Sequence, residues 1–110
     1  MIAQEALANA RIISIAGQLN SGNAASVENE IKGLIARGDH RLLLDLSHLD
    51  YISSAGLRVV LVVAKLLKAE RGQLILFGMQ PQVKEVFEIS GFLSILEVVP
   101  AREEAISRIR

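Results

Sequence analysis

Cysteine and tryptophan are both missing from these 110 residues, and three Phe and one Tyr are the whole aromatic complement. Without cysteine, neither a disulfide framework nor a thiolate metal site can form, and a reducing compartment poses no difficulty. With so few aromatic rings, Leu, Ile, Val and Ala must fill the interior; hydrophobic residues make up 51% of the chain, a composition that suits helices packed on a sheet. An excess of charge is missing too. Twelve Lys and Arg balance twelve Asp and Glu, which removes the electrostatic footprint of a nucleic-acid binder or a polybasic membrane-surface domain. Partners are therefore expected to be proteins or small molecules. Finally, no long apolar run exists. The richest stretch, residues 57–67, is interrupted by Arg58 and Lys65 and falls short of the roughly 20 residues that cross a bilayer.

The first ten residues include Gln4, Glu5 and Asn9 and have neither a basic start nor a long apolar run, so no secretory signal is expected and a cytoplasmic location follows. No period repeats and no Pro-, Ser- or Gly-rich linker divides the chain. Two cores in 110 residues would leave each half too small to stabilise itself, so a single domain over residues 1–110 is expected.

Along the chain, strand-like and helix-like segments alternate. Residues 3–7 are ambiguous and read as an edge strand leading into residues 11–16, where Ile12, Ile13 and Ile15 favour a strand. Residues 17–22 read as a loop. From Asn23 the positions Ala24, Val27, Ile31, Leu34 and Ile35 follow helical spacing, with Glu28 four residues before Lys32 and Gly38 placed to end the helix. Residues 41–46 suit a strand buried on both faces, with Asp45 near its C-terminal end. Residues 54–71 contain Val59, Val60, Val62 and Val63, which favour strands, but their length, the stop at Gly72 and the shared face of Arg58, Lys65 and Lys68 favour a helix. A strand over residues 73–77 follows, then a helix with Pro81 in its first turn, Val83, Val86 and Phe87 on its buried face and Ser90-Gly91 at its end. Residues 93–98 read as a last strand and residues 101–109 as a polar terminal helix docking through Ala105, Ile106 and Ile109. The expected architecture is α/β: a four- to five-stranded, mostly parallel, mixed sheet with about four helices, its crossovers right-handed and its first strand antiparallel at one edge.

Hydroxyls concentrate in Asp45-Leu-Ser-His-Leu-Asp-Tyr-Ile-Ser-Ser-Ala-Gly-Leu57, where a buried strand meets an apolar helix. Ser53 or Ser54 would cap that helix, a structural role that contributes about 1 kcal/mol. Two adjacent serines exceed this need. If Ser53 caps, Ser54 lies in the first turn beside backbone amides and the positive end of the helix dipole, where a phosphate is well accommodated. A hydrolase reading of Ser54 fails. The nucleophile elbow needs Gly two residues on either side, but Ile52 occupies the first position and only Gly56 fits the second, while His40 and His48 both precede the serine. Asp45, His48 and Asp50 could imitate a metal site, but they lie on a short connection without a fourth ligand and read as a solvated loop. The sequence holds neither a P-loop nor a dinucleotide glycine fingerprint. No catalytic residue, metal or cofactor is expected.

The segment Leu43-Leu-Asp-Leu-Ser-His-Leu-Asp-Tyr-Ile-Ser-Ser-Ala-Gly-Leu-Arg58 resembles the signature of STAS domains, the family that contains bacterial anti-sigma factor antagonists. Gly17-Gln-Leu-Asn20 resembles the family's loop after its second strand, and Pro81-Gln-Val-Lys-Glu-Val-Phe-Glu-Ile-Ser-Gly-Phe92 its third-helix segment. The resemblance implies a stand-alone antagonist that binds an anti-sigma factor which is also a serine kinase. Phosphorylation at the Ser two residues before the Gly-Leu of the motif, here Ser54, would release it, and a serine phosphatase of the metal-dependent type would restore binding. Ser53, where many members carry Asp, is an alternate acceptor, and Asn20 stands where many carry an acid. The implied docking surface combines Gln18, Asn20 and Ser21 with Ser53, Ser54, Ala55, Gly56 and Arg58, the connection over residues 50–56 included. A second expectation from the same resemblance is a constitutive scaffold, such as an accessory subunit of a transporter ATPase or of a signalling complex.

Overall fold

In the computed structural model, which describes residues 2–109, the central sheet follows from strands that bury both faces. In β4 (Arg41–Asp45), the consecutive Leu42, Leu43 and Leu44 are all buried. Side chains alternate across a strand, so Leu42 and Leu44 join one core and Leu43 another. The same division holds for Ile13 and Ile15 against Ile12 in β2 (Arg11–Ile15), and for Leu76 against Ile75 and Phe77 in β6 (Gln73–Phe77). The sheet order is β1-β2-β4-β6-β7, where β1 is Ile2–Ala6 and β7 is Glu97–Val99. β1 pairs antiparallel with β2, and all other pairs are parallel. This is the mixed sheet with an antiparallel edge that the sequence implies.

One face is covered by α1 (Ala24–Ala36), α2 (Ser54–Ala69) and α3 (Pro81–Ile89), whose buried positions Val27, Ile31, Leu34, Val59, Val63, Val83 and Phe87 fill the larger core. The valines of α2 are tolerated because burial against the sheet outweighs the few tenths of a kcal/mol that each β-branched residue costs a helix. Arg58, Lys65 and Lys68 lie on its solvent side. The opposite face receives α4 (Arg102–Arg108), which contributes Ala105 and the following Ile109. Here the expectation needs correction: Ile106 is an exposed residue of α4 rather than part of its docking side. Arg102 fastens α4 to the sheet edge through a 2.8 Å hydrogen bond to Glu5, and that bond raises the guanidinium pKa above its ordinary value.

Three further expectations are corrected. Residues 17–22 are not wholly a loop, because β3 (Gly17–Leu19) forms there, and β5 (Leu49–Ile52) forms within the supposed connection. The last strand is only Glu97–Val99; a 3₁₀ turn at Phe92–Ser94 occupies part of the segment assigned to it. The stop of α2 is not Gly72 itself. The left-handed residue is Arg71 (φ 58°), whose N–H donates to the Lys68 carbonyl while that of Gly72 donates to the Leu67 carbonyl, the pairing of a Schellman end. Gly72 is required for another reason: a Cβ there would collide with the His40 carbonyl, which the neighbouring Gln73 N–H uses at 2.8 Å. Arg71→Gly is therefore expected to stabilise the fold by about 0.5–1 kcal/mol through relief of the left-handed penalty, read as a higher urea midpoint.

Candidate functional site

The segments that the sequence places on one surface are joined by a small second sheet. β3 and β5 run parallel, with Gln18 opposite Tyr51 and Leu19 opposite Ile52, and an irregularity between Gly17 and Gln18. The pairing is closed at both ends: the Gly17 N–H donates to the His48 carbonyl and the Ser53 N–H to the Leu19 carbonyl, each at 2.9 Å. Leu19, Leu49 and Ile52 point into the core while Gln18, Asp50 and Tyr51 face solvent. In β5 two exposed residues stand between two buried ends, so neither it nor the three-residue β3 carries the strict alternation by which a half-buried strand is read from sequence.

Two hydrogen-bonded turns hold this sheet in place. In the first, the Asp45 carboxylate accepts from the Ser47 N–H at 2.9 Å and from its hydroxyl at 2.7 Å, and Ser14 donates to the other carboxylate oxygen at 3.4 Å. Asp45 thereby shapes the step from β4 to β5, as Asp does in Asx-turns. In the second, the Asn20 side chain accepts from the Gly22 N–H and donates to Gln18, while Asn23 accepts from the Asn20 N–H and donates to the Gln18 carbonyl at 2.7 Å. Asn23 was not singled out from the sequence, although two asparagines three apart beside glycines carry an Asx-turn signal.

At the head of α2, Ser53 is the N-cap. Its backbone is extended (φ −95°, ψ 176°) and its hydroxyl accepts from the Gly56 N–H at 3.3 Å. Ser54 is thus the first helical residue, and it is exposed. Among the described residues, no acceptor takes the amides of Ser54 or Ala55, no acid lies in the first turn, and no histidine or carboxylate bonds to the Ser54 hydroxyl. The helix therefore presents two open donors and its positive end to whatever binds there. Arg58, also exposed, follows Ser54 by one turn. Gly56 is buried in the angle between α2 and β3: an added Cβ would stand 2.7 Å from the Leu19 carbonyl oxygen and 2.7 Å from Ile52 Cγ1. Removal of the cap by Ser53→Ala is expected to cost about 0.5–2 kcal/mol, measured by thermal unfolding, with Ser54 still available to a modifying enzyme.

A third contributor carries no signal in the sequence. Gln80, just before α3, donates to the Ser47 carbonyl at 2.9 Å and to Asp50 at 3.4 Å, and Gln82 donates to the Asp50 carbonyl at 3.3 Å. These bonds span about thirty residues in sequence and leave no local pattern. Asp45 and Asp50 each have hydrogen-bonding work within this framework, and no group of three or more His, Cys, Asp or Glu side chains arranged to hold a metal occurs among the described residues.

Fold and site together describe a binding domain whose polar face is assembled around a helix start, and the chain belongs to the STAS domain family, whose model matches residues 2–105. Of its relatives, BtrV of Bordetella bronchiseptica, named as a candidate anti-sigma factor antagonist, is 53% identical over 94 residues, 86% of this chain and 81% of BtrV. The anti-sigma-B factor antagonist of Listeria monocytogenes is 29% identical over 86 residues, 78% of this chain and 75% of the relative. Among solved structures, a candidate anti-sigma factor antagonist from Thermotoga maritima superposes with a TM-score of 0.94 at 20% identity, covering 99% of this chain and 94% of the other. The Bacillus cell fate determinant SpoIIAA in its phosphorylated form superposes at 0.77 with 25% identity over the full length of both chains.

Proposed function

We propose that this protein is an anti-sigma factor antagonist, a one-domain and non-catalytic binding module that releases its partner when Ser54 is phosphorylated. The observation that carries the reading is the position of Ser54: exposed, first in α2, beside two open amides and with no acid in the first turn. A phosphate adds a charge of about −2 there, and the helix start tolerates it, so modification alters the surface without unfolding the domain. The pairing of β3 with β5 and the bond from the Ser53 N–H to the Leu19 carbonyl support a docking surface of Gln18, Asn20, Ser21, Ser53, Ala55 and Arg58; Gly56, expected to be part of it, is buried and supports it from beneath, and the exposed Tyr51 adds the kind of aromatic that often anchors an interface. BtrV, at 53% identity, supports the antagonist role, and the existence of SpoIIAA in a phosphorylated form supports a phosphate switch in this fold.

The partner is an anti-sigma factor that also acts as the serine kinase, and a metal-dependent serine phosphatase reverses the modification, in the cytoplasm. No described helix is long and apolar enough to cross a membrane. The test is intact-mass and site-mapping spectrometry of protein recovered from its own cells, with and without phosphatase treatment. Phosphate on Ser54 is the expected result. Its absence across growth conditions would overturn the switch and leave a constitutive scaffold with Ser54 as an ordinary helix-start residue. Phosphate on Ser53 instead would move the acceptor to the capping residue.

A further inference from the structure

A second concave surface, which shares none of its lining residues with the β3, β5 and α2 region, opens between α3, the 3₁₀ turn and β7. It is a cleft of about 390 Å³, inside the roughly 300–1,000 Å³ range of small-molecule sites. Its walls are mainly, though not wholly, apolar: Met79, Leu93, Leu96 and Val98 line it, each half-buried and packed against the main core. The only charged lining residue is Lys84, which is exposed and has no carboxylate within ion-pairing distance among the described residues.

We propose that this cleft binds a free aliphatic monocarboxylate, its chain against Met79, Leu93, Leu96 and Val98 and its carboxylate on the Lys84 ammonium. The two halves of the site select the two halves of the ligand. Apolar walls that are still partly wet gain free energy in proportion to the area that a hydrocarbon chain covers, about 25 cal/mol per Å². A lone ammonium at the edge of such walls favours an anionic head over a neutral one through a charge-assisted hydrogen bond, and disfavours a cationic head. Glu88 follows Lys84 by one turn of α3, but among the described residues no carboxylate is paired with the ammonium, so no ion pair has to be broken first.

The experiment titrates the full chain, labelled with ¹⁵N, with octanoate, octanol and octylammonium below their aggregation limits and follows amide shifts. Octanoate is expected to give saturable shifts at Met79, Leu93, Leu96 and Val98, with an affinity about tenfold above those of the other two probes, a ratio typical of one charge-assisted contact. Lys84→Met, at an exposed position where the side-chain length is kept, is expected to lower octanoate affinity about tenfold and leave that of octanol unchanged. Absence of saturable shifts at these residues would overturn the proposal. So would equal affinity for the three probes, or octanoate binding that is indifferent to Lys84→Met in a variant whose spectrum shows the native fold.

Discussion

Ser54→Asp is expected to weaken binding of the anti-sigma partner about a hundredfold or more, whereas Ser54→Ala should bind like the unmodified protein and resist inactivation. An unpaired charge buried in an interface costs about 2–5 kcal/mol, which corresponds to roughly thirty- to several-thousand-fold in affinity. An Asp carries one charge where a phosphate carries nearly two, so the variant should be the weaker inhibitor of the pair. Unfolding does not account for the loss. Ser54 is exposed at the first position of α2, and the first turn holds no other acid, so a carboxylate there interacts favourably with the helix dipole by about 0.3–1 kcal/mol. Calorimetric titration should therefore show lost affinity while thermal unfolding shows an unchanged or higher midpoint. Tight binding by the Asp variant to the same kinase would refute the switch, and weak binding accompanied by a lowered midpoint would point to a folding defect.

Gly56→Ala should destabilise the protein by about 1–3 kcal/mol, the usual cost of a methyl forced into a filled space. The added carbon would meet the Leu19 carbonyl and Ile52 Cγ1 at 2.7 Å and Leu19 Cγ at 2.9 Å. Backbone cannot rotate away as a side chain can. Relief requires the start of α2 to move off β3, and the hydrogen bond from the Ser53 N–H to the Leu19 carbonyl lies directly in that path. A second effect follows. Because Ser54 lies two residues before Gly56 in the same first turn of α2, its position relative to Gln18 and Tyr51 shifts with the helix, so partner binding and phosphorylation should both weaken at temperatures where the variant is still folded. Urea denaturation measures the first effect and phosphorylation rate by the purified kinase the second; no change in either would mean that α2 and β3 are less tightly coupled than their contact implies.

The elements that the sequence made legible are those whose signal is local and long. α1 came from Val27, Ile31, Leu34 and Ile35, and its end at Gly38 is observed, with the Gly38 N–H on Ile35 and the Asp39 N–H on Leu34. β6 at Gln73–Phe77 and the start of α3 at Pro81 are where the pattern puts them. The elements that leave no such signal are short. β3 has three residues and β5 four, and Gly17, Asn20 and Gly22 look like turn residues because two of them do form turns. A strand this short is stable only through its partner, and the partner lies about thirty residues away, as Gly17 opposite Leu49 shows. Hydrophobicity puts Ile106 on the docking side of α4, but it does not say which side of a short helix meets the sheet, and Ile106 is exposed.

For this protein the sequence by itself determined the class of fold, the order of its main helices and strands, and the presence of two serines at a helix start with only one needed as a cap. These are consequences of periodicity, turn chemistry and capping, which act within a few residues. Only the tertiary structure decided that Ser53 is the cap and Ser54 the exposed neighbour, that Gly56 exists to let α2 touch β3, that Gln80 and Gln82 brace Asp50, and that Lys84 stands beside an apolar cleft. Each of those facts depends on which distant segment occupies the space next to a residue, and that is fixed by the packing of the whole chain.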